Sequence, residues 1–221
     1  EVNSYESETF VSEKDAINSS KLTCQYKTSV VANNRLYVGN IKQAGKVYGD
    51  RMIKSVDTKY GILPASNFID EITALAFFKD KLLQFKRNKV FVINTSGDYE
   101  FLEDTFYNVG VQGQFSVVNT RYGVAWANAN GFYLYDGEKM ANLIENRIPT
   151  SSAYVSGLLN NQWCASSSTG DCIVGYSTNR DIALVNFQRT NIGTGSSVPS
   201  GAVYHFPTKS WTLLYNSWND D

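Results

Sequence analysis

Short apolar runs of four to seven residues, separated by polar turn-forming residues, recur along the chain. Their clearest expression lies between Ile72 and Ile144. ITALAFFKDKLLQFKRNKVFVINTSGDYEFLE (Ile72–Glu103) and QFSVVNTRYGVAWANANGFYLYDGEKMANLI (Gln114–Ile144) each contain four such runs, so one unit is written twice. Leu83 and Phe85 match Val124 and Trp126, 41 residues later, and Val90–Ile93 match Phe132–Tyr135, 42 residues later. The one-residue difference is assigned to the turn between the second and third runs. A repeat of this length with four strands is the pattern of a β-propeller blade. TALAFF, nearly continuous in apolar residues, is expected to be an innermost strand buried on both faces.

The flanking segments carry weaker copies. LTCQYKTSVVANN, RLYVGNI and KVYGDRMIKSV, with the turn pair Asn33-Asn34, predict a first blade near 22–56 whose outermost strand is weak or replaced. CIVGYST, IALVNFQ, GAVYHFP and SWTLLYN predict a last one near 172–216. VYHFPTKSWTLLYN, with its aromatic strand, polar turn and Trp-led strand, resembles the outer hairpin of kelch-like blades. The expected fold is all-β, a β-propeller or partial propeller of about four blades near 22–56, 72–104, 114–145 and 172–216, with four antiparallel strands each. Residues 1–21 precede this 22–216 domain as an N-terminal arm or leading strand. Three irregular pieces hang between the copies. Asp57–Asp70 is an excursion with Gly61 and Pro64; Asn146–Asp171 holds a short helical candidate; Arg189–Ser200 is a loop of Gly, Ser, Thr and Asn.

Composition supports strands: 14 Tyr and 12 Phe against 2 Met in 221 residues, 43% apolar. A net charge of −1 argues against a dominant polyanion-binding role, which needs clustered cations, although a neutral total leaves room for a local basic patch. There is no apolar run of eighteen residues to form a spanning helix. The chain opens on EVNSYESETF without an initiating Met, which reads as the interior of something longer.

Candidate chemistry is sparse. His205 is the single histidine, so a zinc site lacks a second imidazole, and no G-x-S-x-G elbow accompanies it. No calcium loop, P-loop or dinucleotide fingerprint is present, and no metal or cofactor is expected. Asp70-Glu71, Glu100 with Glu103-Asp104, and Asp220-Asp221 are carboxylate groups at turns and ends, where solvation explains them. Cys24, Cys164 and Cys172 are too few for a disulfide framework; Cys164 and Cys172 read either as free thiols or as one bridge. Lys79, Lys81, Lys86, Arg87 and Lys89 form the densest basic cluster, in two turns and a strand of the second blade. They read either as solvated turn charges or as one propeller edge facing DNA or an anionic partner.

LLQFKRNKVFVIN and GVQGQFSVVNTRYGVAWANANGFYLYDG, with KVYGDRMIKS and YGILPASNFIDEITALAFFKDKLLQFKRN before them, resemble propeller-bearing tail proteins of tailed bacteriophages. The nearest type is the tail nozzle protein (tail tubular protein B) of short-tailed phages. The resemblance spans Leu22–Ile144 and consists of apolar and turn patterns, with no family active site to carry over. Such proteins are much longer than this chain. It implies a non-enzymatic virion subunit, in a ring of copies beside neighbouring tail proteins, forming part of the conduit for DNA ejection. The alternatives are a carbohydrate- or receptor-binding propeller, with Trp163, Trp211 and Trp218 as stacking residues, and, third, a propeller glycosidase or lyase.

Overall fold

Hairpins joined by tight turns account for nearly all of the regular structure. The computed structural model describes residues 6–10, 22–43, 45–56, 59–62, 70–97, 100–148, 163, 172–187 and 199–214. These form four antiparallel sheets, and the only helical element among them is the single 3₁₀ turn Gln114–Ser116. The chain divides into two compact units, Glu1–Gly110 and Val111–Asp221, each holding two sheets.

In the first unit, strands β1 (Glu6–Phe10), β2 (Leu22–Ala32), β3 (Arg35–Gln43), β4 (Lys46–Val56) and β5 (Lys59–Ile62) lie side by side in chain order. This sheet has five strands where four were expected. The N-terminal arm pairs with β2 through Glu6↔Tyr26 to Phe10↔Leu22. Part of the Asp57–Asp70 excursion pairs with β4 as β5. Both additions follow from the open ladder edges that a three-stranded sheet presents. The second sheet is β6 (Ala74–Phe78), β7 (Lys81–Phe85), β8 (Lys89–Asn94) and β9 (Phe101–Tyr107).

Turn chemistry is legible at Asn33 and Asn34, whose φ values of 48° and 60° are those of a type I′ hairpin. The β6–β7 turn falls on Lys79 and Asp80, with φ of 45° and 58°. Lysine has no preference for that region, so pairing of the flanking strands imposes it. Within β3, Asn40 (φ 59°) sits where the register with β4 shifts, and is fully buried. The bulge aims its amide at the start of the second sheet, where Nδ2 donates to the Ile72 carbonyl at 3.2 Å. The Leu75 amide donates to Thr28 Oγ1 at 3.1 Å, so the two sheets are tied by polar bonds as well as by Tyr37, Ile72, Leu75 and Leu82.

The second unit contains β10 (Val117–Thr120), β11 (Gly123–Asn128), β12 (Gly131–Tyr135) and β13 (Met140–Asn142), then β14 (Cys172–Ser177), β15 (Ile182–Phe187), β16 (Gly201–His205) and β17 (Ser210–Leu214). Aromatic packing joins its sheets. Phe132 on β12 meets Trp211 edge-on at 5.5 Å and Tyr204 at 6.1 Å, and Trp163 meets Trp211 at 5.4 Å. The indoles are anchored by bonds from Trp163 Nε1 to the Asn128 carbonyl and from Trp211 Nε1 to the Leu143 carbonyl, each 3.0 Å. The helical candidate in Asn146–Asp171 and the Arg189–Ser200 loop fall almost wholly outside the described residues.

Strand registers correct the repeat. The pair Phe78↔Lys81 in the second sheet corresponds to Thr120↔Gly123 in the third, a shift of 42 in both strands. Leu83↔Val92 likewise corresponds to Ala125↔Leu134, again 42 and 42. The period is therefore uniform through three strands, and Leu83 matches Ala125 rather than Val124. Matching apolar residues at 41 in β7 exchanges the two faces of the strand, because side chains alternate with period two. The sequence conceals this, since both faces of β7 and β11 are buried and apolar residues stand at adjacent positions in each. The fourth strands diverge: Val90 pairs with Phe106 in β9, whereas the equivalent Phe132 precedes a three-residue β13.

Gly123 holds φ at +146°, and a Cβ there would lie 2.0 Å from the Tyr135 carbonyl oxygen. Gly123→Ala is expected to destabilise the second unit by about 2–4 kcal/mol. All four tryptophans lie in Val111–Asp221, so urea unfolding followed by tryptophan fluorescence reads this loss directly.

Candidate functional site

A polar cleft of about 290 Å³ lies within the first unit, lined by Asn33, Arg35, Tyr37, Asp80, Thr95, Ser96 and Gly97. The β2–β3 hairpin and the start of β3 supply one wall. The β6–β7 turn and the chain leaving β8 supply the other. Asn33 Nδ2 donates to the Thr95 carbonyl at 2.9 Å and to its hydroxyl at 3.1 Å, and the Thr95 hydroxyl donates to the Asp80 carbonyl at 3.0 Å. The left-handed conformation at Asn33 makes this reach possible, so the turn residue that closes a hairpin in one sheet also clamps it to the other.

Beside this lining, Glu100 gathers three partners from the first sheet. Arg35 Nη1 donates at 3.3 Å and the Tyr37 hydroxyl at 3.0 Å to Oε1, while the Lys54 ammonium bonds both carboxylate oxygens. The Glu100 side chain is only 12% exposed, so these charges interact with little solvent screening. Burial alone pushes the carboxyl up. The bonds from Lys54, the backbone and Tyr37 outweigh it and hold Glu100 below the ordinary carboxylate range. Burial first, then the Glu100 charge, pushes the Tyr37 phenol up. Sequence patterning grouped Glu100 with Glu103 and Asp104 as solvated acids. Its partners lie 46 to 65 residues away, and no local signal marks them.

The five basic residues do not form one surface. Lys79 lies in the β6–β7 turn and Lys81 directly after it, whereas Lys86, Arg87 and Lys89 surround the β7–β8 turn. Consecutive turns of a meander lie at opposite ends of the sheet, here one five-residue strand apart. Their environments also differ. Lys81 pairs with Glu103, and Arg87 Nη2 pairs with Glu71 at 2.7 Å, which holds that carboxyl below its usual range. Lys86 is fully buried, donates to the Asp70 carbonyl and has its pKa lowered by burial, against the opposing charges of Asp70 and Asp50. Lys79 Nζ sits 5.4 Å from the Phe78 ring centroid and Lys89 Nζ 5.6 Å from that of Phe91.

Trp163 is fully buried and so presents no indole face to a sugar, whereas Trp211 is half-buried against the same aromatic cluster; Trp218 lies outside the described residues. His205 Nδ1 and the Thr208 hydroxyl are 2.6 Å apart, and that hydroxyl continues to Ser210 at 2.7 Å, an exposed chain without a carboxylate. Cys172 is buried, and Cys164 falls outside the described residues. Among the described residues no three His, Cys, Asp or Glu side chains converge as metal ligands would, and no helix is long and apolar enough to cross a membrane. No protein-family model matches the chain, and no curated protein matches it either.

A carboxyl with a depressed folded pKa adds stability above its unfolded value, about 4.3, and loses it as pH falls through the folded value. Acidification below about pH 5 is therefore expected to loosen the first unit progressively. Glu100→Gln should cost about 1–3 kcal/mol at neutral pH and flatten that acid dependence. Amide hydrogen exchange in β3 and β4, measured against pH for both proteins, checks both effects.

Proposed function

We propose that the chain is a structural virion protein, a subunit of a phage tail nozzle or hub, with its sheets arranged as blades of a β-propeller or partial propeller. The observation that carries this is the succession of up-and-down meanders, two of them in a common 42-residue register through three strands. A blade is such a meander, and repeated blades leave only short edges exposed while directing loops outward. The resemblance over Leu22–Ile144 to nozzle proteins supplies the biological setting: a ring of copies around the path of ejected DNA, touching neighbouring tail proteins.

The polar groups of the described residues agree with a scaffold role. Glu100, Asn33, Thr28 and Asn40 are spent on joining sheets rather than on presenting a reactive group. Contact surface is available on β9, where Phe101, Leu102 and Tyr107 are 55%, 54% and 70% exposed. Apolar exposure of this kind on an edge strand is suited to meeting a neighbouring subunit.

Mass spectrometry and cryo-electron microscopy of purified particles from a phage encoding this chain test the proposal. Several copies of the chain arranged in a ring at the tail are expected. Absence of the chain from intact particles, with the protein recovered as a free monomer, overturns it.

A further inference from the structure

The cleft of the first unit carries more hydrogen-bonding capacity than its own fold consumes. Arg35 has five N–H donors and directs them at Glu100 and Tyr37 from a side chain that is still 29% exposed. Asp80 lines the same cleft and is exposed, and its carbonyl rather than its carboxylate makes the bonds to Thr95. Ser96, Gly97, Asn33 and the 1% exposed Tyr37 complete the lining, but the Ser96 N–H and hydroxyl bond Asn94 Oδ1, the Asn33 amide bonds Thr95 and the Tyr37 hydroxyl bonds Glu100, so the spare capacity belongs to Arg35 and Asp80.

Charge narrows the ligand. The charged residues of the lining are one of each sign, Arg35 and Asp80, so an anion meets the Asp80 carboxylate and a cation meets the Arg35 guanidinium. Size narrows it further, because 290 Å³ lies at the lower end of small-molecule sites. An apolar ligand would strip solvent from the Asp80 carboxylate and the spare Arg35 N–H groups without replacing it, at a cost of about 1–3 kcal/mol each. What remains is a small neutral molecule offering donors and acceptors together. The walls are also fixed before binding, Asn33 by Thr95 and Arg35 by Glu100, which reduces the ordering cost.

We propose that this cleft binds a neutral polyhydroxylated ligand, a single sugar ring, whose hydroxyls bridge the Arg35 and Asp80 sides. The site stands independently of the scaffold role. Because no stacking face is offered, affinity per site is in the millimolar range, and a ring of copies would raise it through avidity.

Backbone amide NMR of the intact chain, titrated with glucose, galactose, mannose and N-acetylglucosamine, tests this. At least one sugar should shift the resonances of Asn33, Arg35, Ser96 and Gly97. An oligosaccharide ending on that sugar distinguishes a glycan terminus, which binds tighter, from a free monosaccharide, which binds equally. Asp80→Asn tolerates the left-handed backbone of the turn and should weaken binding about tenfold. Ser96→Trp should fill the cleft and abolish binding while leaving the melting temperature unchanged. No shifts with any of the four sugars overturns the proposal, as does preferential binding of inorganic phosphate or of a free amino acid. Unaltered sugar affinity in a folded Ser96→Trp protein overturns it equally.

Discussion

Strands buried on both faces leave the backbone one way to satisfy its polar groups, which is pairing with a neighbour on each side. In β7 and β11 almost every side chain is buried, so the ladder cannot slip toward solvent and the hairpins that deliver the neighbouring strands must be tight. The left-handed residues Asn33, Asn34, Lys79 and Asp80 are the local consequence of that demand. So is Gly123, where the chain approaches the Tyr135 carbonyl too closely for any side chain. The uniform 42-residue register is its larger expression: three strands that must pair face to face cannot drift by a residue, whereas the outermost strand can and does.

The two units solve the joining of sheets differently. In the second, aromatic edges and faces around Phe132, Trp163, Trp211 and Tyr204 fill the interval between sheets, and the two indole N–H groups are satisfied by carbonyls. In the first, aliphatic packing is supplemented by side chains that cross between sheets, with Glu100 at the centre of three donors and Asn33 clamped to Thr95. Directional bonds hold their groups apart at set distances, where apolar contacts close up. A polar cleft therefore persists in the first unit beside the Glu100 network. Rigidity useful to a scaffold and a pre-formed recess useful for binding thus arise from the same bonds.

The basic cluster shows where local reasoning stops. Five cations within eleven residues look like a patch in one dimension. The meander sends them to opposite ends of a sheet, buries Lys86, and places Glu71 and Glu103 against Arg87 and Lys81. Trp163 makes the converse point, since a residue whose size suited a sugar-stacking role is consumed by the core.

Apolar runs and turn residues by themselves determined that the described residues are all-β, where most of their hairpins fall between Leu22 and Leu214, and that Asn33-Asn34 closes one of them. Those features depend on neighbours a few residues apart, and period-two burial writes them into the chain directly. The added edge strands β1 and β5, the face-correct match of Leu83 with Ala125, and the assembly of Arg35, Tyr37, Lys54 and Glu100 were decided only in three dimensions. Open ladder edges recruit whatever strand can reach them. A strand buried on both faces carries no alternation from which to read its orientation. A carboxylate whose partners lie 46 to 65 residues away carries no local mark of them, because what joins them is the stacking of two sheets.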